Sequence, residues 1–403
     1  MTATDLGLML DLKSPWKITE VKIDHAAHKI ELRVSCEGTV WIEGGQALHI
    51  HGYEEREWRH LDFWQYETVL KAKVPRLKDP VSGKTQNVAV PWAGVGSRWT
   101  RAFENHAIEA LRIAHTISDA AKLLRLNWHS AQRIMDLAVE RGMDRRKEEE
   151  IEMLGADEKS FLRGQNYISV LTDLEGRRVL DVKPGATKEV VKSLIEETLS
   201  ESQRQAVKAV AMDRSGTFKA AVTEALPQAK IVFDSYHLAA DLNRAVDTTR
   251  REENKQLSSE GSDILKGTRF QWLSEPTTMK SEVLSSFEAL AKIQLKTSRA
   301  WGLKELFKGL YEQKDAEAGA KYFDQWVGKA KCSRLPAMKK VAESFKASRE
   351  WILNWFEYPI TNALTEGLNS VIQGLKTAAR GFRNAASYRT RILFFAGKLE
   401  LQA

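Results

Sequence analysis

The order of hydrophobic patterns between residues 151 and 234 constrains the fold more than any other feature of this chain. Five short apolar runs are typical of strands and lie at residues 151–156, 167–172, 178–182, 206–212 and 229–233. Two amphipathic stretches are typical of helices and lie at residues 188–201 and 216–226. The predicted order is therefore β-β-β-α-β-α-β, which indicates an α/β unit.

Two of these predicted strands end directly at an aspartate. Asp157 follows the first run, and Asp213 follows the fourth. The order of elements is that of an RNase H-like core, in which the first and fourth strands are neighbours. We therefore expect the carboxylates of Asp157 and Asp213 to lie side by side.

A third isolated acid lies on a two-faced helix that begins after Pro359. One face of this helix is an apolar stripe of Leu368, Val371, Ile372, Leu375 and Ala379. The opposite face is polar and consists of Glu366, Asn369, Ser370, Gln373, Lys376 and Arg380. By itself this pattern is also typical of a solvated helix surface. Together with the strand-end aspartates it indicates that Glu366 belongs to the same site, with Asn369 beside it.

Three carboxylates are a sufficient ligand set for two divalent cations. Mg²⁺ and Mn²⁺ prefer oxygen ligands and need no His or Cys. Two such ions can activate a water or a 3′-hydroxyl and stabilise the leaving oxygen in phosphoryl transfer. We therefore predict that Asp157, Asp213 and Glu366 are catalytic, metal-binding residues for Mg²⁺ or Mn²⁺, with Asp157 bridging two ions.

Residues 103–146 have a helical pattern that suggests a DNA-binding motif. Two short helices with a tight connection near residues 126–127 have the dimensions of a helix-turn-helix. The second helix offers four polar side chains for DNA contact: His129, Ser130, Gln132 and Arg133. Small helical pairs that do not bind DNA are common, so the pattern leaves that alternative open.

The remaining segments complete a multidomain α+β organisation. Residues 16–76 alternate between apolar and polar with period two, as half-buried strands do. After Asp234 the pattern becomes helical, with several tryptophans as large apolar anchors. The predicted units are a β-rich module at 1–98, a helix-turn-helix at 99–146, an RNase H-like core at 147–243 and 357–403, and an all-helical insertion at 244–356.

Charge and cysteine content restrict the partners and the compartment. The chain carries 61 Lys and Arg against 54 Asp and Glu, and part of the excess lies near the C-terminus. There Lys376, Arg380 and Arg383 are candidates for contacts with DNA phosphates, although a basic, partly buried terminal helix fits the same residues. Two cysteines, an acidic N-terminal segment and the lack of a long apolar run predict a protein of a reducing cytoplasm.

Eight short motifs occur in one order along nearly the whole chain. They are WRHLD at 58–62, VPR at 74–76, VPWA at 90–93, GADEKSF at 155–161, AMD at 211–213, DSYH at 234–237, TEGLN at 365–369 and GFRN at 381–384. In this order they resemble the DDE transposases of bacterial insertion sequences, specifically the ISL-three family. The resemblance implies that Asp157, Asp213 and Glu366 form the DDE triad and that residues 103–146 bind DNA.

The spacing of Asp234 and His237 is similar to an Asp/Cys-x-x-His signature of several transposase groups. In those groups the pair lies close to the active site, and the resemblance implies the same vicinity for Asp234 and His237. The alternative is a strand-end histidine that bonds a nearby carbonyl.

One departure from the family concerns the N-terminal module. Family members usually carry a zinc ribbon with two Cys-x-x-Cys-like pairs. Here Thr39 stands at the partner position of Cys36, and Asp79 and Ser82 occupy the second pair. Because a structural zinc needs four ligands, usually Cys and His, we predict no structural zinc in this module.

Together these features predict a transposase that binds the terminal inverted repeats of its insertion sequence and catalyses DNA cleavage and strand transfer. Its expected partners are double-stranded DNA, at the element ends and at the target, and a second copy of the chain in a homodimer on DNA. No membrane partner is expected, and the predicted location is the bacterial cytoplasm, at the nucleoid when DNA is bound. Two alternatives stay open: a catalytically idle, domesticated DNA-binding regulator and an RNase H-like nuclease.

Overall fold

The structure is a computed structural model that describes most of the chain. The described residues are 7, 10, 12, 14–36, 40–43, 46–78, 83, 85–114, 116–162, 166–360 and 362–403. Within them, only the backbone is described at residues 42, 43, 46, 47, 162, 166 and 362–366. The chain forms two compact units, residues 1–146 with 398–403 and residues 147–397.

Over the described residues, a six-stranded mixed sheet forms the β-rich part of the first unit. Its strands are β1 (Trp16–Asp24), β2 (Lys29–Cys36), β3 (Val40–Glu43), β4 (Gln46–Arg59), β5 (Glu67–Lys78) and β6 (Thr85–Asn87). The order is β1-β2-β5-β4-β3, with β6 beside β5, and β2 pairs with β5 in parallel. In β2, Ile30, Leu32 and Val34 are buried at every second position. The predicted β-rich module is thus confirmed.

Three helices complete the first unit before the chain crosses into the second. They are α1 (Arg101–Ile113), α2 (Ile117–Leu123) and α3 (Trp128–Asp144). The helices α2 and α3 begin at side-chain caps, because Thr116 and Asn127 each accept a hydrogen bond from the backbone N–H three residues later. The turn between α2 and α3 contains Arg125 in the left-handed region, with φ of 53°, and its guanidinium donates to the carbonyl of Gln65 at 2.8 Å. The predicted helix pair with a tight connection is confirmed.

A second sheet, of five strands in the described part of the chain, forms the centre of the second unit. Its strands are β7 (Met153–Leu162), β8 (Asn166–Asp173), β9 (Arg178–Pro184), β10 (Ala209–Met212) and β11 (Lys230–Phe233). The order is β11-β10-β7-β8-β9, parallel from β11 to β7 and antiparallel from β7 to β9. The first and fourth strands of this unit are neighbours, as the sequence predicts.

The first strand of this sheet is longer than the sequence indicates. We predicted that it ends at Ala156, but β7 continues to Leu162. The cause is β8, which pairs with β7 along this whole length and places Val170 opposite Asp157. The parallel neighbour β10 ends at Met212, beside Ala156. Asp157 therefore lies inside a strand, at the level where its parallel neighbour stops.

Helices surround this sheet and form the C-terminal part of the molecule. They are α4 (Lys188–Thr198), α5 (Glu201–Ala206), α6 (Gly216–Ala225), α7 (Ser235–Ser259), α8 (Arg269–Leu273), α9 (Ser281–Ala291), α10 (Lys296–Lys308), α11 (Ala316–Cys332), α12 (Pro336–Ala347), α13 (Arg349–Leu353), α14 (Asn362–Ala378) and α15 (Ala385–Ala396), with 3₁₀ turns at Pro276–Thr278 and Asn354–Phe356. One continuous hydrophobic core joins Leu154 in the sheet to Trp272 and Trp326 in the helical part. None of the helices that the structure describes is long and apolar enough to cross a membrane.

The last six residues return to the first unit, whereas the sequence interpretation assigned residues 357–403 to the core. Leu401 is 1% exposed, and its carbonyl accepts a hydrogen bond from Arg141 at 3.3 Å. Leu399 packs so closely on Gly142 that a Cβ there would lie 2.7 Å from the Cβ of Leu399. These two leucines fix the segment to α3, because their burial removes apolar surface from water.

Candidate active site and DNA-binding surface

The register of the parallel strands brings Asp157 and Asp213 to the same level of the sheet. Ala156 pairs with Met212 in the last rung between β7 and β10. Asp157 comes directly after Ala156, and Asp213 comes directly after Met212. Asp213 leaves the sheet at once, and its Oδ1 accepts a hydrogen bond from the N–H of Ser215 at 2.9 Å. The two predicted carboxylates are therefore neighbours through β7 and β10.

Asp234 occupies the equivalent position one strand further along the sheet. Met212 pairs with Phe233 in the last rung between β10 and β11, so Asp234 follows that rung directly. Its Oδ1 accepts from the N–H of Tyr236 at 2.9 Å and caps α7. The Nε2 of His237 lies 4.0 Å from Oδ2 of Asp234, and the His237 side chain is 39% exposed. Asp157, Asp213 and Asp234 thus each come directly after the last parallel rung of three adjacent strands.

The carboxylate of Asp157 is held by three donors. Its Oδ2 lies 2.6 Å from Nζ of Lys159 and accepts a hydrogen bond from Nδ2 of Asn369 at 3.1 Å. Its Oδ1 accepts the N–H of Glu158 at 2.7 Å. The side chain of Asp157 is 17% exposed. Both of its oxygens are therefore fixed in direction while the group still reaches solvent.

Glu158, the next residue of β7, lies near enough to these acids for their charges to act on its carboxyl, although strand alternation directs its side chain away from Asp157. Burial, followed by the negative charges of Asp213 and Asp157, raises the pKa of the Glu158 carboxyl. The positive charge of Lys159 opposes this shift. The sequence interpretation set Glu158 aside as a poor candidate for a metal ligand, which stays a prediction, and gave no role to Lys159.

The helix α14 runs beside β7 and carries Glu366. Asn369 contacts Asp157, and two turns later Nζ of Lys376 donates to the carbonyl of Ser160 at 2.6 Å. The backbone of Glu366 lies one turn before Asn369, and its side chain lies outside the described part of the structure. These contacts align the first turns of α14 with the strand that bears Asp157.

The apolar stripe predicted for α14 is confirmed at two positions and wrong at one. Leu368 is 9% exposed and Ile372 is 1% exposed, so both face the core. Val371 is 43% exposed and belongs to the outer surface. The buried stripe is therefore narrower than the sequence suggests, because contacts with β7 turn the helix toward its Asn369 side.

The basic residues near the C-terminus have two different environments. α14 ends at Ala378, so Arg380 lies beyond the helix, exposed and with φ of 53°, and Arg383 is also exposed. The guanidinium of Arg389 donates two hydrogen bonds to Asp181, at 2.6 and 2.9 Å. Arg391 is 3% exposed, and this burial lowers the pKa of its guanidinium. The partly buried helix of the alternative interpretation is thus present at α15, and exposed cations precede it.

Two of the side chains predicted to contact DNA are exposed on α3, and one is not. His129 and Arg133 are exposed one turn apart, and Ser130 is half-buried. Gln132 is 8% exposed, and its Nε2 donates to Oδ1 of Asp136 at 2.8 Å. This burial favours the exposed His129 and Arg133 over Gln132 as DNA contacts, since the amide of Gln132 is hydrogen-bonded within α3.

The Trp-Arg-His-Leu-Asp motif joins the first sheet to α1. The guanidinium of Arg59 contacts Asp62 and lies 4.9 Å from the ring centre of Phe103. The Nδ1 of His60 lies 2.8 Å from Oγ1 of Thr100, the residue that caps α1. Burial lowers the pKa of His60 to about 4, so its imidazole is neutral at physiological pH. This motif is a structural joint between the sheet and the helices.

The N-terminal module also matches a known zinc finger. The model of the zinc-finger of transposase IS204/IS1001/IS1096/IS1165 matches residues 44–78. This match overturns the prediction of no structural zinc, which depended only on the missing cysteines. The segment contains His49, His51 and His60, and imidazole nitrogen is a regular zinc ligand. Among the residues that the structure describes, no three His, Cys, Asp or Glu side chains form a group able to hold a metal ion.

Further comparisons, with two family models and two relatives, cover most of the chain. A helix-turn-helix domain of transposase family ISL3 matches residues 88–139, and the transposase model of that family matches residues 154–392. A transposase for insertion sequence element IS1001 from Bordetella parapertussis is 24% identical over 87% of this chain and 86% of its own length. A transposase for insertion sequence element IS1557 from Mycobacterium tuberculosis is 26% identical over 85% of this chain and 80% of its own length. Since the transposase model matches more than half of the residues, the chain belongs to the ISL3 family of DNA-binding transposases.

Proposed function

We propose that this transposase binds the terminal inverted repeats of its insertion sequence and performs DNA cleavage and strand transfer by two-metal-ion phosphoryl transfer. The proposed catalytic residues are Asp157, Asp213 and Glu366. The observation that carries the proposal is the pairing of Ala156 with Met212, which makes Asp157 and Asp213 neighbours. The hydrogen bond from Asn369 to Asp157 supports the third position, because it holds the helix of Glu366 against β7.

The proposed catalytic domain is an RNase H-like core formed by residues 147–243 and 357–397. The strand order β11-β10-β7-β8-β9, with three parallel and then antiparallel strands, supports this assignment. Residues 244–356 form the proposed helical insertion, although α7 runs across its first boundary without a break. A long insertion between β11 and α14 explains why Glu366 is far from Asp213 in sequence.

The oxygen donors at the end of the parallel pairing between β7 and β10 suit a hard divalent cation such as Mg²⁺ or Mn²⁺. Asp157 and Asp213 offer carboxylate oxygens, and each has its Oδ1 oriented by a backbone N–H. When bound by Asp157, Asp213 and Glu366, two such ions would supply an activated nucleophile and a stabilised leaving oxygen. Asn369 keeps the Asp157 carboxylate in a fixed direction, which reduces the reorganisation needed during the reaction.

Other residues near this edge are proposed to bind and orient the DNA. His237 and Asp234 lie beside Asp213 at the ends of the parallel strands, so we place His237 next to the scissile phosphate. Arg380 and Arg383 are exposed beyond α14 and are proposed to contact backbone phosphates. Lys376, whose Nζ donates to the carbonyl of Ser160 in β7, is proposed to belong to the same DNA-binding surface.

Sequence recognition is proposed to reside in α3. His129 and Arg133 are exposed on one face of this helix, with Ser130 beside them. A helix-turn-helix presents the N-terminal part of its second helix to base edges in the major groove. Joining two element ends requires two such helices, so the active species is proposed to be a homodimer on DNA.

A strand-transfer assay on a labelled duplex that carries the genomic inverted repeat tests this function. We expect Asp213→Asn and Glu366→Gln each to reduce cleavage and joining by about 1000-fold or more, while DNA binding stays at the wild-type level. Asp324→Asn is a matched control, because this exposed acid forms an ion pair with Arg349 in the helical part. If Asp213→Asn cleaves DNA at the wild-type rate, the assignment of Asp213 as a catalytic residue is refuted. Binding without cleavage by the wild-type protein would favour a regulator.

A further inference from the structure

Lys159 makes a close ion pair with a proposed metal ligand. It follows Asp157 by two positions in β7, so both side chains project from the same face of the strand. The Nζ of Lys159 lies 2.6 Å from Oδ2 of Asp157, and the two side chains are 27% and 17% exposed. This pair is partly withdrawn from water, where the attraction between opposite charges exceeds that of a surface pair.

The contacts of Asp157 leave little room for a second cation. Lys159 and Asn369 both act on Oδ2, and the N–H of Glu158 acts on Oδ1. Each carboxylate oxygen has about two lone-pair sites, so two donors saturate Oδ2. A Mg²⁺ ion binds carboxylate oxygen at about 2.0–2.1 Å, which brings it within a few ångströms of the ammonium group. Like charges at that distance repel strongly in a partly buried site.

We propose that Lys159 is an internal counter-ion of the active site, which holds Asp157 in place and must move away before a divalent cation binds there. The inference rests on the proposed function. Lys159 is thus a positioning residue that lowers the metal affinity of the protein in the absence of DNA. Once displaced, the ammonium group of Lys159 no longer pairs with Asp157. It then lies beside the scissile bond, where a phosphate oxygen of the DNA becomes its new partner.

A lysine, rather than an arginine, at position 159 suits an ion pair that has to be broken. A lysine is a compact point charge on a flexible stem, whereas arginine binds a carboxylate with two parallel hydrogen bonds. The same sheet contains an example of the second kind, since Arg389 binds Asp181 through two hydrogen bonds and joins α15 to β9. The pair that ties a helix to the sheet is bidentate, and the pair at the proposed metal site is not.

Titration of the full chain with Mn²⁺ in the absence of DNA, followed by electron paramagnetic resonance of the free ion, tests this inference. We expect Lys159→Met to bind Mn²⁺ about tenfold more tightly than the wild type. Lys159→Arg keeps the charge and should bind no more tightly than the wild type. Lys183→Met is the matched control. Lys183 lies on β9 of the same sheet and forms a 2.7 Å ion pair with Glu197 of α4.

The outcomes separate this inference from the proposed function. Adding Asp157→Asn to Lys159→Met should remove the gain, which identifies the Mn²⁺ bound at this carboxylate. Equal affinities of Lys159→Met and Lys183→Met, or weaker binding by Lys159→Met, would overturn the counter-ion role while the cleavage assay still supports the function. If no variant binds Mn²⁺ and the wild type does not cleave DNA, both proposals fail. Circular dichroism checks folding, and Lys159→Gln provides a second neutral variant.

Discussion

Two acidic side chains, Glu104 in the first unit and Asp157 in the second, differ in burial and in the groups that surround them. Glu104 is 3% exposed; its Oε1 accepts the hydroxyl of Ser97 at 2.7 Å, and its Oε2 lies 3.1 Å from the guanidinium of Arg141. Asp157 is 17% exposed and lies among other carboxylates, with Lys159 as its cation. Glu104 is thus paired with an arginine in the interior of the first unit, whereas Asp157 is paired with a lysine in a partly exposed position.

The difference agrees with a structural role for Glu104 and with the catalytic role proposed for Asp157. Arg141 joins Glu104 in α1 to the carbonyl of Leu401, so one buried charge fixes a helix and the C-terminal segment together. Next to Asp157 in β7, burial, followed by the negative charges of Asp213 and Asp157, raises the pKa of the Glu158 carboxyl. Groups with such perturbed pKa values cluster where a ligand completes the charge balance.

The largest effect that distinguishes the two acids is on stability. Replacing Glu104→Ala leaves Arg141 without its buried partner and should destabilise the first unit by about 3–5 kcal/mol. Asp157→Asn should cost less than about 1 kcal/mol, because Lys159 is partly exposed and can turn to water. Hydrogen exchange of peptides from α1 and from β7, followed by mass spectrometry, measures each unit separately.

A matched comparison makes this test specific. Glu109→Ala, on the exposed side of α1, should leave hydrogen exchange of that helix nearly unchanged, although Glu109 contacts Arg112 and Gln402. If Asp157→Asn destabilises its unit as strongly as Glu104→Ala does, the distinction between a structural and a functional acid is refuted.

A smaller effect concerns the pH dependence of the first unit. The pKa of His60 is lowered to about 4 in the folded protein, whereas an unfolded histidine titrates near pH 6.5. Below pH 6.5 the unfolded chain takes up a proton that the folded chain refuses, so the free energy of unfolding falls as the pH falls toward 4. The loss approaches about 3 kcal/mol and levels off below pH 4.

The variant His60→Gln isolates this contribution. It should remove the part of the pH dependence between pH 6.5 and 4 that His60 causes, measured as the difference in hydrogen exchange of α1 between variant and wild type. His129→Gln is the control, because this exposed histidine on α3 should leave the curve unchanged. A wild-type pH profile in His60→Gln would show that another group is responsible.

The smallest effect concerns DNA contacts of α3. Arg133 is exposed, whereas its neighbour Gln132 is buried against Asp136. Arg133→Gln should weaken binding to the inverted-repeat duplex several-fold, and more than binding to unrelated duplex DNA, as expected for one lost contact to a base edge. Gln132→Met should change affinity by less than about twofold, since its side chain does not reach the surface. Equal losses in both variants would refute the assignment of the exposed face.

Local signals predicted the elements well and failed where distant residues meet. Thr116 and Asn127 are recognisable helix caps, and both begin helices of the first unit. Gln132 looks like a surface residue in the sequence, and its burial depends on Asp136 and on the packing of α3. Leu399 and Leu401 carry no signal for the first unit, because their contacts are with α3, which precedes them by more than two hundred residues.

The sequence by itself determined the order of strands and helices and the motifs of the family. It also determined that two aspartates follow the apolar runs of neighbouring strands in the second sheet. Periodicity of hydrophobic residues carries this information, because it records which face of each element is buried. Only the tertiary structure decided that the amide of Asn369 donates to Asp157 and that Lys159 is the cation beside it. These contacts depend on strand register and on the position of α14 beside β7, and neither is encoded in a local pattern.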